Sequence, residues 1–268
     1  MKNAAFGQSW AELPAASEGS GYTESYIKCV RLITDAPKQS NGYYRRNYSI
    51  CYDTKNYVAR WVAYPMHSYY LSGDYDSTTF VADPNFEESE QIGSTYRYDK
   101  DQSNGTKTDY DRGHQIAKAQ RTVTGTAREQ TNYNTNMTPQ YWSLNQKNWV
   151  SLEEKERGAW MCSDTLYMVS GCHFDNYNTK VANNDGKSCP APTHYFKVML
   201  RTKSGKSGKK VANCSADELI CAGYWVTNTS NAVPVLKSVA EIEKLTGFTF
   251  FVNVPNAPKS TYSASDWQ

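Results

Sequence analysis

The segment SLNQKNWVSLEEKERGAWM (residues 143–161) carries two patterns at once. Leu144, Trp149, Leu152 and Trp160 recur at helical spacing and predict a helix over this segment with one apolar stripe. Asn145, Trp149 and Glu153 stand at i, i+4 and i+8. An α-helix would set them on roughly one face, with Asn145 and Glu153 about 12 Å apart along its axis, and Arg157 continues that line. The ordinary reading is a solvated face with a Glu153–Arg157 pair. The amide opens a second one: a hard neutral oxygen suits a hard cation such as Mg²⁺, which takes few protein ligands and keeps its waters. Held there, such an ion could neutralise a phosphate and protonate a leaving oxygen through a bound water.

A second segment, TDYDRGHQIAKAQR (108–121), supplies the complementary chemistry. His114 is one of four histidines in the chain, and imidazole is the side chain best matched to proton abstraction near neutral pH. Gly113 permits a conformation or close approach that a Cβ would obstruct. Arg112 beside the histidine makes sense where an anion is held, phosphate being the leading case. An isolated Asp-Arg-Gly-His tetrapeptide also fits a surface histidine near a salt-bridged pair. The helix is what turns it into half of a site.

The 268 residues suit one large domain with insertions, 23–268, behind a loose leader at 1–22 rich in Ala, Ser, Gly and Glu. A net charge of +2 means that any polyanion site must be local. The 21 tyrosines and 7 tryptophans, set among many Asn, Ser and Thr, point to a β-rich protein with long polar loops. Strands are expected at 25–33, 48–53, 57–66, 165–174, 193–200, 220–228 and 248–255, with a short helix at 238–247 closed by Gly247. Residues 72–107 read as irregular, and SGKSGKK (204–210) as a solvated basic turn. His67, His173 and His194 read as structural. The seven cysteines form no zinc pattern. Cys172 with Cys189, and Cys214 with Cys221, flank loops and read as disulfides, which implies an oxidising, secreted or periplasmic setting. No apolar run approaches membrane-spanning length.

DRGH (111–114), NMTPQ (136–140) and LNQKNWVSLE (144–153), in that order, resemble the DNA/RNA non-specific endonuclease family. Weaker similarity runs from WVAYP (61–65) through DTLYMVSG (164–171) and PTHYFKVML (192–200) to EIEKLTGFTFF (241–251), so the resemblance covers roughly residues 43–256. It implies an α+β fold: a mixed, largely antiparallel central sheet flanked by helices, with a ββα-metal finger. It also implies metal-dependent, sequence-indifferent hydrolysis of DNA and RNA to 5′-phosphate and 3′-hydroxyl ends. His114 would be the general base and Asn145 the direct ligand of one Mg²⁺, with Mn²⁺ as a substitute. Glu153 would hold waters on the metal, Asn136 would support the site, and Arg112 and Arg157 would balance phosphate charge.

One departure bears on turnover. The family places a phosphate-clamping arginine after the WVAY strand and before an Asp-Pro; here that stretch is SGDYDSTTFVADP (72–84), which has none. Arg112, Arg121 or Arg157 is then expected to take over substrate charge. The alternative is a catalytically weakened nucleic-acid-binding relative of the same fold.

Overall fold

The computed structural model describes residues 9–15, 26–93, 100–101, 109–182 and 186–267. The strands are β1 (Tyr26–Ile33), β2 (Arg45–Asp53), β3 (Val58–Met66), β4 (Lys100–Asp101), β5 (Tyr110–His114), β6 (Met137–Tyr141), β7 (Leu166–His173), β8 (Lys180–Ala182), β9 (Ser188–Pro190), β10 (His194–Thr202), β11 (Leu219–Thr227) and β12 (Val235–Lys237). The helices are α1 (Gly125–Thr131), α2 (Val150–Arg157) and α3 (Val239–Thr246). Seven strands form one sheet in the order β1-β2-β3-β7-β10-β11-β12, and every pairing in it is antiparallel. The fold is therefore α+β, with an antiparallel central sheet flanked by helices.

The alternation of β10 builds two cores. Tyr195 and Met199 enter a cluster with Trp149, Leu152 and Trp160 beneath α2. Phe196, Val198 and Leu200 enter another with Val239, Ile242 and Phe250 beneath α3. Covering both faces explains why β2, β3, β7 and β10 are buried almost throughout.

Lys197 sits among the residues facing α2 and is completely buried, as is its partner Glu156 at 2.6 Å. Tyr64 Oη and Gln120 Nε2 donate to Glu156 Oε2 at 2.8 and 3.0 Å, and the lysine ammonium lies 4.5 Å from the Trp149 ring centre. Four separate segments thus meet at one carboxylate.

The short helix closed by Gly247 is present: α3 ends there with φ 74°, and the structure adds a Ser238/Glu241 capping box at its start. Other expectations are corrected. Residues 248–255 form turns instead of a strand. Phe251 takes φ 52°, Val254 N–H donates to Phe251 O, and Phe248, Phe250 and Phe251 all fill the second core, so the apolar run serves burial without sheet pairing. The leader is not loose throughout: residues 11–15 are buried, Glu12 pairs with Arg46, and Ala15 N–H donates to Thr249 O. The expected disulfides are absent, all seven cysteines being free. Cys172 instead donates to Ala59 O from within the sheet, and Cys214 to Lys210 O. No helix among the described residues is long and apolar enough to cross a membrane.

Lys197→Met should cost about 3–5 kcal/mol in urea unfolding, because it strands a buried carboxylate. Adding Glu156→Leu should recover most of that loss. Strictly additive losses would show that the pair is not coupled.

Candidate active site

β5 and β6 form a two-stranded antiparallel unit in which His114 faces Met137 and Gly113 faces Thr138. Gly113 is required by proximity: a Cβ there would lie 2.6 Å from Gln140 Oε1 and 3.1 Å from Thr138 O. The unit is fastened to the central sheet. Tyr195 Oη donates to Thr138 Oγ1 at 2.7 Å, Asn228 Nδ2 to Pro139 O at 3.0 Å, and Ser170 Oγ to Gln115 Oε1 at 3.2 Å. Asn136 is fully buried and wholly engaged: its Nδ2 donates to Ile116 O and Thr131 O, and its Oδ1 accepts from Ile116 N–H. It clamps the chain leaving His114 and does not line the cleft.

The helical segment departs from the expected α-helix in a way that matters. Leu144–Trp149 is a π turn that runs into α2. Over eight α-helical residues, Asn145 and Glu153 would be rotated about 80° apart. The looser π winding reduces that offset, and such turns recur at functional sites. The three-residue line is corrected accordingly: Asn145 and Glu153 line the cleft, while Trp149 is buried against Tyr195 and Lys197.

The cleft, of about 340 Å³, is walled by His114, Arg112 and Asp111 from β5, by Lys118, by Asn145, Glu153 and Arg157, and by Phe80. His114 Nε2 lies 3.2 Å from Asn132 Oδ1, and Asn132 Nδ2 donates to Ser77 O at 2.9 Å. The second bond orients the amide, so the hydrogen-bond network assigns the imidazole proton to Nε2 and leaves Nδ1 with its lone pair. Burial pushes the imidazole down to about 4, against the Asn132 bond and with help from Lys118, Arg112 and Arg128. His114 is therefore neutral at pH 7. Asn132 was not singled out from sequence; an asparagine in a run of Asn and Thr carries no signal of its own.

Asn145 Nδ2 and Gln146 Nε2 donate to Asp111 Oδ2 at 3.0 and 2.8 Å, which turns the Asn145 carbonyl oxygen away from that contact. Glu153 is 7% exposed, and burial raises its carboxyl to about 7, Lys197 opposing and Glu156 adding to the shift. A desolvated carboxylate beside a free amide oxygen is a donor set of hard oxygens. Among the described residues no group of three His, Cys, Asp or Glu side chains could hold a metal, so a cation here would rest on these two residues and on water.

The cations sort differently from the sequence reading. Arg112 and Arg157 line the cleft, as does Lys118, and Arg157 Nη1 donates to Gln120 Oε1 at 3.1 Å. Arg121 does not. It is completely buried, donates to Asn47 Oδ1, Asn47 O, Pro65 O and Gln120 O, and lies 4.0 Å from the Tyr70 ring centre. Burial pushes its guanidinium down to about 10. The expectation that Arg121 binds substrate is thus corrected: it cross-braces β2 and β3. In the stretch lacking the clamp arginine, Asp76 pairs with Arg128, and Phe80 places its ring 3.4 Å from the Arg112 guanidinium carbon.

A family model described as DNA/RNA non-specific endonuclease matches residues 31–257. The chain belongs to that family. It is 26% identical over 226 residues to mitochondrial endonuclease G of Homo sapiens, covering 78% of this chain and 69% of that protein. It is 27% identical over 228 residues to a nuclease of Nostoc sp., covering 83% and 77%. A nuclease of Serratia marcescens is 30% identical over 152 residues, covering 54% of this chain and 52% of that one. Among solved structures, an EndoG bound to EndoGI, described as a mechanism of EndoG inhibition, superposes with a TM-score of 0.60 at 22% identity, covering 87% of this chain and 89% of that chain. That likeness concerns the fold. The protein is a hydrolase of nucleic acids, an endonuclease of this family.

The depressed His114 value has a consequence for stability. Between its ordinary 6.5 and about 4, an unfolded chain takes up a proton that the folded imidazole refuses. Stability is thus lost as pH falls through that window. In metal-free protein, the fall in Tm from pH 7 to pH 4 should be smaller for His114→Gln than for the native chain; equal falls would refute the shift.

Proposed function

We propose that the endonuclease hydrolyses phosphodiester bonds of DNA and RNA with His114 as general base acting through Nδ1. The supporting observation is the Ser77–Asn132–His114 chain, which leaves one imidazole nitrogen unprotonated and neutral at the cleft wall. Nδ1 takes a proton from water, the water oxygen forms a bond to phosphorus, the bond to the 3′ oxygen breaks, and that oxygen takes a proton from a second water in the open cleft. The products are a 5′-phosphate and a 3′-hydroxyl. A bound phosphate beside the imidazole raises its basicity from the depressed resting value, toward the range in which proton transfer is efficient.

Arg112, Lys118 and Arg157 hold the phosphate oxygens, and Gln120 orients Arg157. Three cations from two segments make up for the missing upstream arginine. They bind backbone and leave base edges unread, which is the physical basis of sequence indifference. The Asn145 oxygen and the Glu153 carboxylate fit one Mg²⁺, with Mn²⁺ as a substitute. Asp111 fixes the Asn145 amide so that its oxygen is available. When bound, the cation supplies charge neutralisation at the scissile phosphate and its leaving oxygen.

His114→Ala should lower kcat by roughly 10²–10⁴-fold while retaining oligonucleotide binding; near-native turnover would remove it as the base. In a Mg²⁺ titration of plasmid cleavage, Asn145→Ala should raise the concentration giving half-maximal rate. An unchanged titration would remove Asn145 as the ligand. Salt-sensitive binding by the native protein without any cleavage in Mg²⁺ or Mn²⁺ would instead favour a catalytically weakened relative.

A further inference from the structure

Two cavities join on the flank built by residues 9–15, β1, β2 and the turn between those strands. One, of about 570 Å³, is lined by Arg45, His67 and Lys210. The other, of about 830 Å³, is lined by Lys38, Tyr43 and Tyr44. Trp10, Gln39, Asn41 and Arg46 line both. Among the described residues, none of either cavity lines the cleft of His114, and neither wall has an aspartate or glutamate. Two of the cations are spoken for: Arg31 pairs with Asp83 and Arg46 with Glu12, both carboxylates being buried. Among the described residues, Lys38, Arg45 and Lys210 have no carboxylate partner. The first two lie against rings: the Lys38 ammonium is 5.1 Å from the Tyr44 ring centre and the Arg45 guanidinium carbon 4.2 Å from that of Tyr69.

His67 adds a neutral donor. Its Nδ1 accepts the Tyr69 N–H at 3.0 Å, so its proton resides on Nε2. Burial, together with Arg45 and Arg121, lowers its pKa and keeps it uncharged. The aromatic part is also built. The turn at 39–43 closes by Gln39 N–H to Tyr43 O and Gly42 N–H to Gln39 O, with Gly42 at φ 81°. It presents Tyr43 with 73% of its surface exposed. A groove with unpaired cations, no carboxylate and an open ring at its rim has the chemistry of a single-strand platform, where phosphates are neutralised and bases stack without sequence choice.

We propose that this groove is a second nucleic-acid contact, remote from the scissile phosphate, which holds single-stranded DNA or RNA by its phosphates at Arg45, His67 and Lys210 and stacks a base on Tyr43. The proposal rests on the reading of the protein as a nuclease. The groove would keep a long substrate near the cleft between cuts and would contribute nothing to one too short to reach it.

The test uses the full chain carrying Arg45→Glu and Lys210→Glu together, with thermal melting to confirm folding. In a His114→Ala background, affinity for a fluorescent polynucleotide should fall roughly tenfold, and the slope of log affinity against log salt should shrink by about 1.4, two single-strand phosphate contacts' worth. In the active protein, KM for polynucleotide should rise while cleavage of a dinucleotide ester is unchanged. Tyr43→Ala should weaken polynucleotide binding, and Tyr43→Trp should preserve it. Unchanged polynucleotide affinity and salt slope in the double variant would overturn the proposal. So would a pocket that only takes free anion: inorganic phosphate raising the Tm of the native chain but not of the double variant, with polynucleotide binding equal in both. Failure of the nuclease reading is separate, since it appears as no cleavage of either substrate by the native protein.

Discussion

A lysine and a glutamate with no exposed surface tie α2 to the centre of the sheet. Burying two charges is costly, and the cost is offset only when every remaining polar valence near them is used. Glu156 offsets part of that cost by accepting from Tyr64 and Gln120 on one oxygen and pairing with Lys197 on the other. The consequence reaches the cleft. Gln120 also donates to Glu153 O and accepts from Arg157, so one buried carboxylate fixes the helix, the segment after His114 and a cleft-lining guanidinium together. Moving any of the four segments would strand a charge, and this makes the geometry of the site stiff.

On that frame the cleft sets neighbouring groups to opposite tasks. His114 and Glu153 both suffer desolvation, but the same cause acts on opposite charge types. It lowers the imidazole and raises the carboxyl, so each is pushed toward its uncharged form. Asparagines do the orienting: Asn132 sets the histidine tautomer, Asn136 clamps the backbone beyond it, and Asn145 is itself set by Asp111. Amides suit this work because each donates and accepts at once without adding charge.

Much of the site was legible. His114 and Arg112, with Asn145, Glu153 and Arg157, all marked by residue chemistry and spacing, line one cleft. The order of arginines was not legible. Arg121 follows Lys118 by three residues; the lysine lines the cleft, and the arginine, where the chain leaves the short 3₁₀ turn at Lys118–Gln120, enters the interior. Nothing in the local pattern marks which cation faces water, because the amide and carbonyls that receive Arg121 come from Asn47 and Pro65, far away in the chain. Phe80 escaped notice for the same reason. The FTFF run misled because apolar content reports burial and leaves hydrogen-bond pairing open, and the cysteines misled because loop-flanking spacing says nothing about which way two thiols point.

By itself, the sequence determined six of the seven strands of the central sheet, the stop of α3, the residue types that line the cleft and the family, since periodicity, helix-ending residues and motif spacing are local properties. Tertiary structure alone decided the π turn that brings Asn145 and Glu153 to one cleft while sending Trp149 into the core, the tautomer of His114, the burial of Arg121 and the state of the cysteines. Each of these depends on a partner far away in the chain, and only packing selects that partner: a buried polar group takes whichever distant donor or acceptor the fold delivers.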